Sequence, residues 1–268
     1  MATIGALYAI SGCFHLLRFL ALSLRRPKDL RRCYGSWAVV TGPTSGLGRS
    51  MAMELARVGL NLVLVGRDPA KLQDVSDKIA RCHGVQTKTV VFDLSFVSTP
   101  EWAEAMRRLR EAIEGLDVGV LVNNAAVAKP GAMYFHEADV ESLVRVVRVN
   151  LLALTEVTAA VLPGMVARGK GAVAPGLVDT NMMSSAVKNS FSPLFVVTAD
   201  ACARAVVRRI GHGTLWVPNF VHQIQWWSAG FAPETILDVY RLGKHLQQRE
   251  AFRMVRSSRP PAQEGKVY

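Results

Sequence analysis

The residues able to do chemistry are a glycine-rich loop and a few isolated polar groups. Thr41-Gly42-Pro43-Thr44-Ser45-Gly46-Leu47-Gly48 follows the apolar run that starts at Trp37 and opens a stretch, 47–58, with helical spacing of apolar residues. A glycine loop between a strand and a helix suits a dinucleotide. The glycines let the backbone approach the pyrophosphate, and the helix N-terminus supplies N–H donors and partial positive charge. Gly42, Thr44, Ser45, Gly46, Leu47 and Gly48 are therefore the candidate phosphate-binding residues, although the spacing is G-x-x-x-G-x-G and not G-x-G-x-x-G. The next apolar run ends in Val65-Gly66-Arg67. Gly66 stands where an acid would bind the ribose of NAD. Arg67 offers a cation for a 2′-phosphate, which points to NADPH. The neighbouring Asp68 weighs against this, and the alternative is a solvated loop arginine. Asp93 follows the third apolar run and could hydrogen-bond an adenine amino group. Asn123 and Asn124 follow the fourth run, and Asn150 lies on a helical stretch. Singly, each is an ordinary turn residue; together, their order along the chain carries weight.

These groups need a frame, and the pattern supplies one. Apolar runs at 37–41, 61–65, 89–92 and 118–122 alternate with helical patterns at 47–58, 69–81 and 101–114. Strand–helix alternation of this kind gives a parallel sheet with right-handed crossovers. The expected fold class is α/β, a Rossmann-like doubly wound parallel sheet, and 268 residues suffice for one such core.

Composition narrows the partners. Half of the residues are hydrophobic and the net charge is +11, which suits a solvated basic surface, anionic lipid or an acidic ligand. Nucleic acid is not expected, because no basic run is interleaved with aromatics and no zinc spacing occurs. Cys13, Cys33, Cys82 and Cys202 are scattered, so neither a metal site nor a disulfide framework is expected. Residues 1–24 are apolar apart from His15 and Arg18, and Arg25, Arg26, Lys28, Arg31 and Arg32 follow. About 20 apolar residues can cross a bilayer, and the basic run then places the rest of the chain in the cytosol. The expected organisation is a membrane helix at 1–24, a basic linker at 25–35, a Rossmann-like domain at 36–218 and a C-terminal membrane- or substrate-proximal segment at 219–268. Within the last two regions, 213–218 reads as a strand, and Trp226 and Trp227 suit a membrane interface, an acyl tunnel or core packing.

In chain order, Thr41-Gly42 to Gly48, Asp93-Leu94, Asn123-Asn124-Ala125, Asn150 and Pro175-Gly176 to Thr180 resemble a short-chain dehydrogenase/reductase. Leu60 to Arg67, Tyr34 to Gly42 and Leu162 to Met165 resemble more narrowly the plant very-long-chain 3-oxoacyl-CoA reductases of the endoplasmic reticulum, relatives of the hydroxysteroid dehydrogenases. The resemblance implies NADPH as cofactor, an acyl-CoA substrate, membrane lipid and other elongase subunits as partners, and an endoplasmic-reticulum location. It adds Pro175, Gly176 and Thr180 to the cofactor-binding residues. It makes Asn150 catalytic, holding a relay water beside a Ser, a Tyr and a Lys.

The Ser, the Tyr and the Lys are missing. The stretch Lys170 to Ala174 starts as the serine-bearing strand but runs directly into Pro175-Gly176. Against the family pattern roughly 50 residues are absent there, the span of a helix, a strand and their connections. Tyr240 does have Lys244 four positions on, but it follows the Pro-Gly motif and reads as one face of a surface helix. Ser184 and Ser185 fall in a lid-like segment, and His136 in a loop. Losing several hundred Å² of apolar burial at ~25 cal/mol per Å² is on the order of 10 kcal/mol, so marginal folding is also expected. The readings left open are an impaired reductase of the family, an inactive NADPH-binding scaffold, a hydroxysteroid dehydrogenase-like oxidoreductase and a truncated, non-functional isoform.

Overall fold

The structure, a computed structural model, describes residues 24–127, 134–175, 198–212 and 234–257, with positions 10, 12–14, 16, 17, 20 and 21. Five parallel strands form one sheet in the order β3-β2-β1-β4-β5: β1 (Trp37–Thr41), β2 (Asn61–Gly66), β3 (Thr87–Val91), β4 (Val118–Asn123) and β5 (Ala172–Pro175). Among the described residues, the helices of eight residues or more are α1 (Gly46–Arg57), α2 (Pro69–His83), α3 (Pro100–Ile113), α4 (Val140–Val147), α5 (Leu154–Ala167), α6 (Ala199–Arg209) and α7 (Glu234–Ser257).

Strand pleating sorts the core into two layers. Ala38, Val40, Leu62, Leu64, Val120 and Val122 point to one face and pack with α1, α2 and α6. Val39, Val63, Val65 and Leu121 point to the other and pack with α3, α5 and the segment joining α4 to α5. Because both faces are covered, β1, β2 and β4 read as unbroken apolar runs and not as alternating ones. Helix ends follow local chemistry. In α2, Asp68 accepts from the Lys71 N–H at 3.1 Å, Pro69 occupies the first turn, and Gly84 closes the helix at φ 65°.

The expected fold class and element order hold, with small differences. The third strand begins two residues earlier than the sequence indicates, at Thr87. As an edge strand it exposes Lys88 and Thr89, whose polarity masks its start. The stretch carrying Asn150 is not regular α-helix. Arg148–Ala153 is a π-segment between α4 and α5.

The second half of the sheet is the less complete one. Leu121 of β4 is fully buried, whereas its register partner Val173 of β5 is 43% exposed on the same face. The continuous helix Val140–Ala167 packs Val149, Ala153, Val157, Val161 and Met165 on the sheet and leaves Val147, Leu151, Leu152, Leu162 and Val166 exposed. It is long and apolar enough to cross a membrane, but its buried stripe marks it as a core helix with one side uncovered. This is the gap expected where the chain passes straight from Ala174 to Pro175. The expected strand at 213–218, the tryptophan pair, Tyr8, Ser184 and Ser185 lie outside the described residues, as does most of the expected membrane helix. At the described positions before residue 25, Ile10, Phe14, Leu16, Leu17, Leu20 and Leu24 are exposed.

Candidate functional site

The carboxyl ends of β1 and β4 are stitched together by one threonine and one asparagine. Thr41 Oγ1 accepts from the backbone N–H groups of Asn124 and Ala125, both at 3.0 Å, and donates to the Val122 carbonyl at 3.4 Å. The Asn124 carboxamide donates to the carbonyls of Thr41 and Gly42 at 3.2 and 3.1 Å. Gly42, at φ 66°, starts the turn towards α1. A Cβ on Gly48 would lie 2.2 Å from the Gly42 oxygen and 2.3 Å from Asn124 Nδ2. Only glycine lets the first turn of α1 come this close to the strand ends.

These contacts frame a cleft of about 220 Å³. Ligand pockets usually run to about 300–1,000 Å³, so the described walls enclose part of a dinucleotide site. Of the candidate residues, Gly42, Thr44, Ser45, Leu47, Arg67, Asp93 and Asn124 line it. Gly46, at φ 52°, and Gly48 shape it from the first turn of α1. Ser45 is the N-cap of α1, its side chain makes no capping hydrogen bond, and the first turn carries no acid. The N–H donors and positive end of the helix dipole therefore face the cleft without an internal anion.

The rim is charged. Arg67 Nη1 stands 3.9 Å from Asp93 Oδ2, and Asp93 Oδ1 accepts from the Ser95 N–H at 2.8 Å, which fixes it as the cap of the turn Leu94–Phe96. Asp68 does not oppose Arg67 in the cleft. Its carboxylate caps α2 and pairs with Lys71 at 2.8 Å, and the hydrogen bond from Lys71 holds it below the usual carboxylate range. These residues fit a phosphorylated nicotinamide dinucleotide: glycines at the close approach, an open helix N-terminus for the pyrophosphate, and a half-free guanidinium for a 2′-phosphate.

Other candidates take different places. Asn123 is buried and turned towards α5, where it donates to Thr158 Oγ1 at 2.8 Å; it does not line the cleft. The alternation along β4 forces this, since Asn123 shares the face of Leu121. Asn150 bridges the backbone of Val127, accepting from its N–H and donating to its carbonyl, both at 2.8 Å. The π-segment sets its side chain off the regular helical position, an irregularity frequent at functional sites. Pro175 ends β5 opposite Asn123; Gly176 and Thr180 lie outside the described residues.

No tyrosine, lysine or histidine lines the cleft among the described residues, and none of the four residues of β5 is a serine. Tyr34 lies at the far end of the sheet, just before β1. Tyr240 lies on α7, 57% exposed. Tyr134 stacks with His136 at a centroid distance of 5.7 Å, under the Arg249 guanidinium at 3.9 Å. Arg249 and Arg253 both donate to Glu137, at 2.7 and 3.1 Å, and bind α7 to the segment after β4. The Arg249 hydrogen bond, helped by the Tyr134 N–H, lowers the Glu137 pKa to about 2. No local pattern in the sequence marks this clasp, because its two halves are more than 100 residues apart. None marks Arg145 either, which lines the cleft from α4. A larger cavity, about 670 Å³, opens between α3 and α5 at the opposite ends of the strands, but none of the candidate residues lines it.

Comparison with known proteins agrees with this arrangement. The family pattern described as short chain dehydrogenase matches residues 36–175. Its match stops at Pro175, where the sequence departs from the expected pattern. A very-long-chain 3-oxoacyl-CoA reductase-like protein of Arabidopsis thaliana is 33% identical, covering 89% of this chain and 93% of the relative. That alignment runs over 296 positions, more than the 268 residues of the chain; 89% of the chain supplies about 239 of them, so about 57 positions face a gap. The human protein named inactive hydroxysteroid dehydrogenase-like protein 1 is 42% identical over 54% of this chain and 42% of its own length. A solved short-chain dehydrogenase from Sphingobium yanoikuyae in complex with NADPH is 32% identical, covering 64% of this chain and 61% of that one, with a TM-score of 0.46. The chain thus spans less than half of the human relative and about three fifths of the solved structure.

Proposed function

The chain belongs to the short-chain dehydrogenase family, and from that premise we propose that it binds NADPH without reducing a substrate. It is then an inactive member of the lineage whose complete forms act on very-long-chain 3-oxoacyl-CoA. One observation carries this reading. The glycine cradle is formed at the ends of β1 and β4, while β5 carries Ala172-Val173-Ala174-Pro175 where a serine would stand and, among the described residues, no tyrosine or lysine lines the cleft. The names of two relatives fit its two halves, one a 3-oxoacyl-CoA reductase-like protein and one an inactive dehydrogenase-like protein.

The roles of the residues follow from their places. Gly42, Gly46, Gly48, Thr44, Ser45 and Leu47 would hold the pyrophosphate, Arg67 the 2′-phosphate and Asp93 the adenine edge. Asn124 keeps the loop in shape, and Asn123 supports α5. Pro175, Gly176 and Thr180 would close over the nicotinamide end, and Asn150 holds the Val127 backbone beside it. When bound, NADPH would supply a hydride. A ketone substrate would also need a positioned acid for its developing alkoxide, worth about 10²–10⁴-fold, and the described residues that line the cleft include no tyrosine, lysine or histidine to serve as one. Residues 1–24 would hold the chain in the endoplasmic-reticulum membrane with the domain in the cytosol, and elongase subunits would be its partners there.

The test uses membranes containing the full chain. Titration with NADPH, followed by the quenching of protein fluorescence, should saturate, and Arg67→Gln should weaken NADPH more than NADH. NADPH oxidation with a long-chain 3-oxoacyl-CoA should equal that of membranes without the protein. Oxidation above that background, reduced by Asn150→Ala, would overturn the reading and send the search for the proton donor to Tyr240. Absence of saturable binding would mark a chain that does not form the cleft.

A further inference from the structure

The end of the sheet opposite the cleft collects positive charge from two segments far apart in sequence. The first is residues 25–32, with Arg25, Arg26, Lys28, Arg31 and Arg32. The second is the end of α6, with Arg208 and Arg209, followed by His212. Packing brings them together. Leu30, 3% exposed, sits in the same core layer as Cys202, Ala203, Val207 and Ile210. Gly211 rests on Tyr34 and Lys28 so closely that a Cβ there would fall 2.0 Å from Tyr34 Oη and 3.1 Å from Lys28 Nζ. Tyr34 leads into Trp37, the first residue of β1, whereas the cleft lies beyond Thr41, the last. The patch and the cleft are thus at opposite ends of the strands.

Among the described residues, no carboxylate comes within 4.0 Å of Arg25, Arg26, Lys28, Arg31, Arg32 or Arg208. Asp29, the one acid in the first segment, uses its side chain on the Arg32 N–H at 3.1 Å. His212 Nε2 is buried with no hydrogen-bond partner among the described residues. Burial, and then the neighbouring charge of Arg208, lower the Arg209 pKa. Clustered cations attract an anionic surface. The chain leading into the patch says which one, since Leu16, Leu17, Leu20 and Leu24 are exposed and apolar. Apolar residues followed by cations match the order of a bilayer, hydrocarbon and then headgroup.

We propose that Lys28, Arg31, Arg32 and Arg208 form one docking surface for anionic lipid headgroups, which turns the amino ends of the strands to the membrane and the cofactor cleft away from it. The proposal rests on the membrane attachment put forward above. It adds that α6, nearly 200 residues after the apolar segment, is part of the membrane contact. A juxtamembrane linker alone would leave the domain free to tumble on a tether. A second basic element sets its orientation.

The test reconstitutes the full chain in lipid nanodiscs, one set with phosphatidylcholine only and one with phosphatidylserine added. Lipids with a photoreactive headgroup are cross-linked, and the labelled peptides are mapped by mass spectrometry. Labelling of 204–212 together with 25–34 is expected in the anionic discs and not in the neutral ones, and it should fall as salt is raised. Lys28→Gln combined with Arg208→Gln, both on exposed side chains, should lower the anionic labelling of 204–212 by about five-fold per removed charge. NADPH titration of the variant should be unchanged, which shows that it still folds. Labelling of 25–34 without 204–212, or equal labelling by both lipids, would overturn the docking surface while leaving the attachment intact. Extraction of the unmodified chain by alkaline carbonate would overturn the attachment itself and the proposal with it.

Discussion

The β2-β1-β4 half of the sheet and its β5 edge are built from the same kinds of residue but end in different states. Val39, Val63 and Leu121 lie under α3, α5 and the segment before α5, and are fully buried. Val173, in register with Leu121 on the same face, stays 43% exposed, and six large apolar residues of the helix Val140–Ala167 are exposed as well. The difference teaches that the cofactor-binding half needs only the elements present to close its core. At the β5 edge, the described residues include no element that covers Val173, and no tyrosine or lysine among them lines the cleft. On the proposed function, binding and turnover, usually joined in this family, come apart in this chain.

The widest contrast lies within one register pair. Leu121→Ala should cost about 2–5 kcal/mol, the usual penalty for a fully buried leucine, while Val173→Ala should stay within about 1 kcal/mol. Denaturant unfolding of both variants checks this, and equal costs would mean that β5 is covered in solution. Next in size is the cradle. Gly48→Ala places a methyl group against the Gly42 oxygen and Asn124, and such overpacking costs about 1–3 kcal/mol. NADPH titration should show binding lost well before the melting temperature collapses.

Asn150→Ala removes two hydrogen bonds to Val127, for about 1 kcal/mol in total at an exposed site. Hydrogen exchange should show the effect confined to the segment after β4. The smallest effect is at the clasp of α7. Glu137 titrates at about 2 in the folded chain, below the roughly 4.3 of a free glutamate. Its contribution is therefore fully present above the free value and is lost as pH falls through about 2. Exchange protection of α7 should weaken over that acidic window, and Glu137→Gln should remove the pH dependence.

Much of this was legible in the residues. The apolar runs of β1, β2 and β4 and the helical spacing of α1, α2 and α3 are strong periodic signals, and their boundaries fall within two residues of expectation. The glycine spacing placed the cradle because only glycine tolerates such close backbone approach. Arg67 was legible as a rim cation, but the role of Asp68 was not. An acid beside an arginine looks the same whether it faces a ligand or caps the next helix. Asn123 and Asn124 are adjacent in sequence, and only the pleat of β4 sends one to α5 and the other to the loop. The edge strand β3 hides its first residues behind Lys88 and Thr89, because an edge needs no continuous apolar run.

By itself, then, the sequence determined the element order, the parallel sheet, the nucleotide-type loop and the absence of a catalytic Ser, Tyr and Lys from their expected place. Those are properties of local spacing and residue type, which short-range sterics and hydrophobic periodicity translate directly. The tertiary structure decided which face of β5 is left bare, where the two asparagines point, that Asn150 sits on a π-segment, and that Gly211 meets Lys28 and Arg249 meets Glu137. Such contacts join residues far apart along the chain. They exist only once burial of the common core has brought their elements together, so no local pattern can carry them.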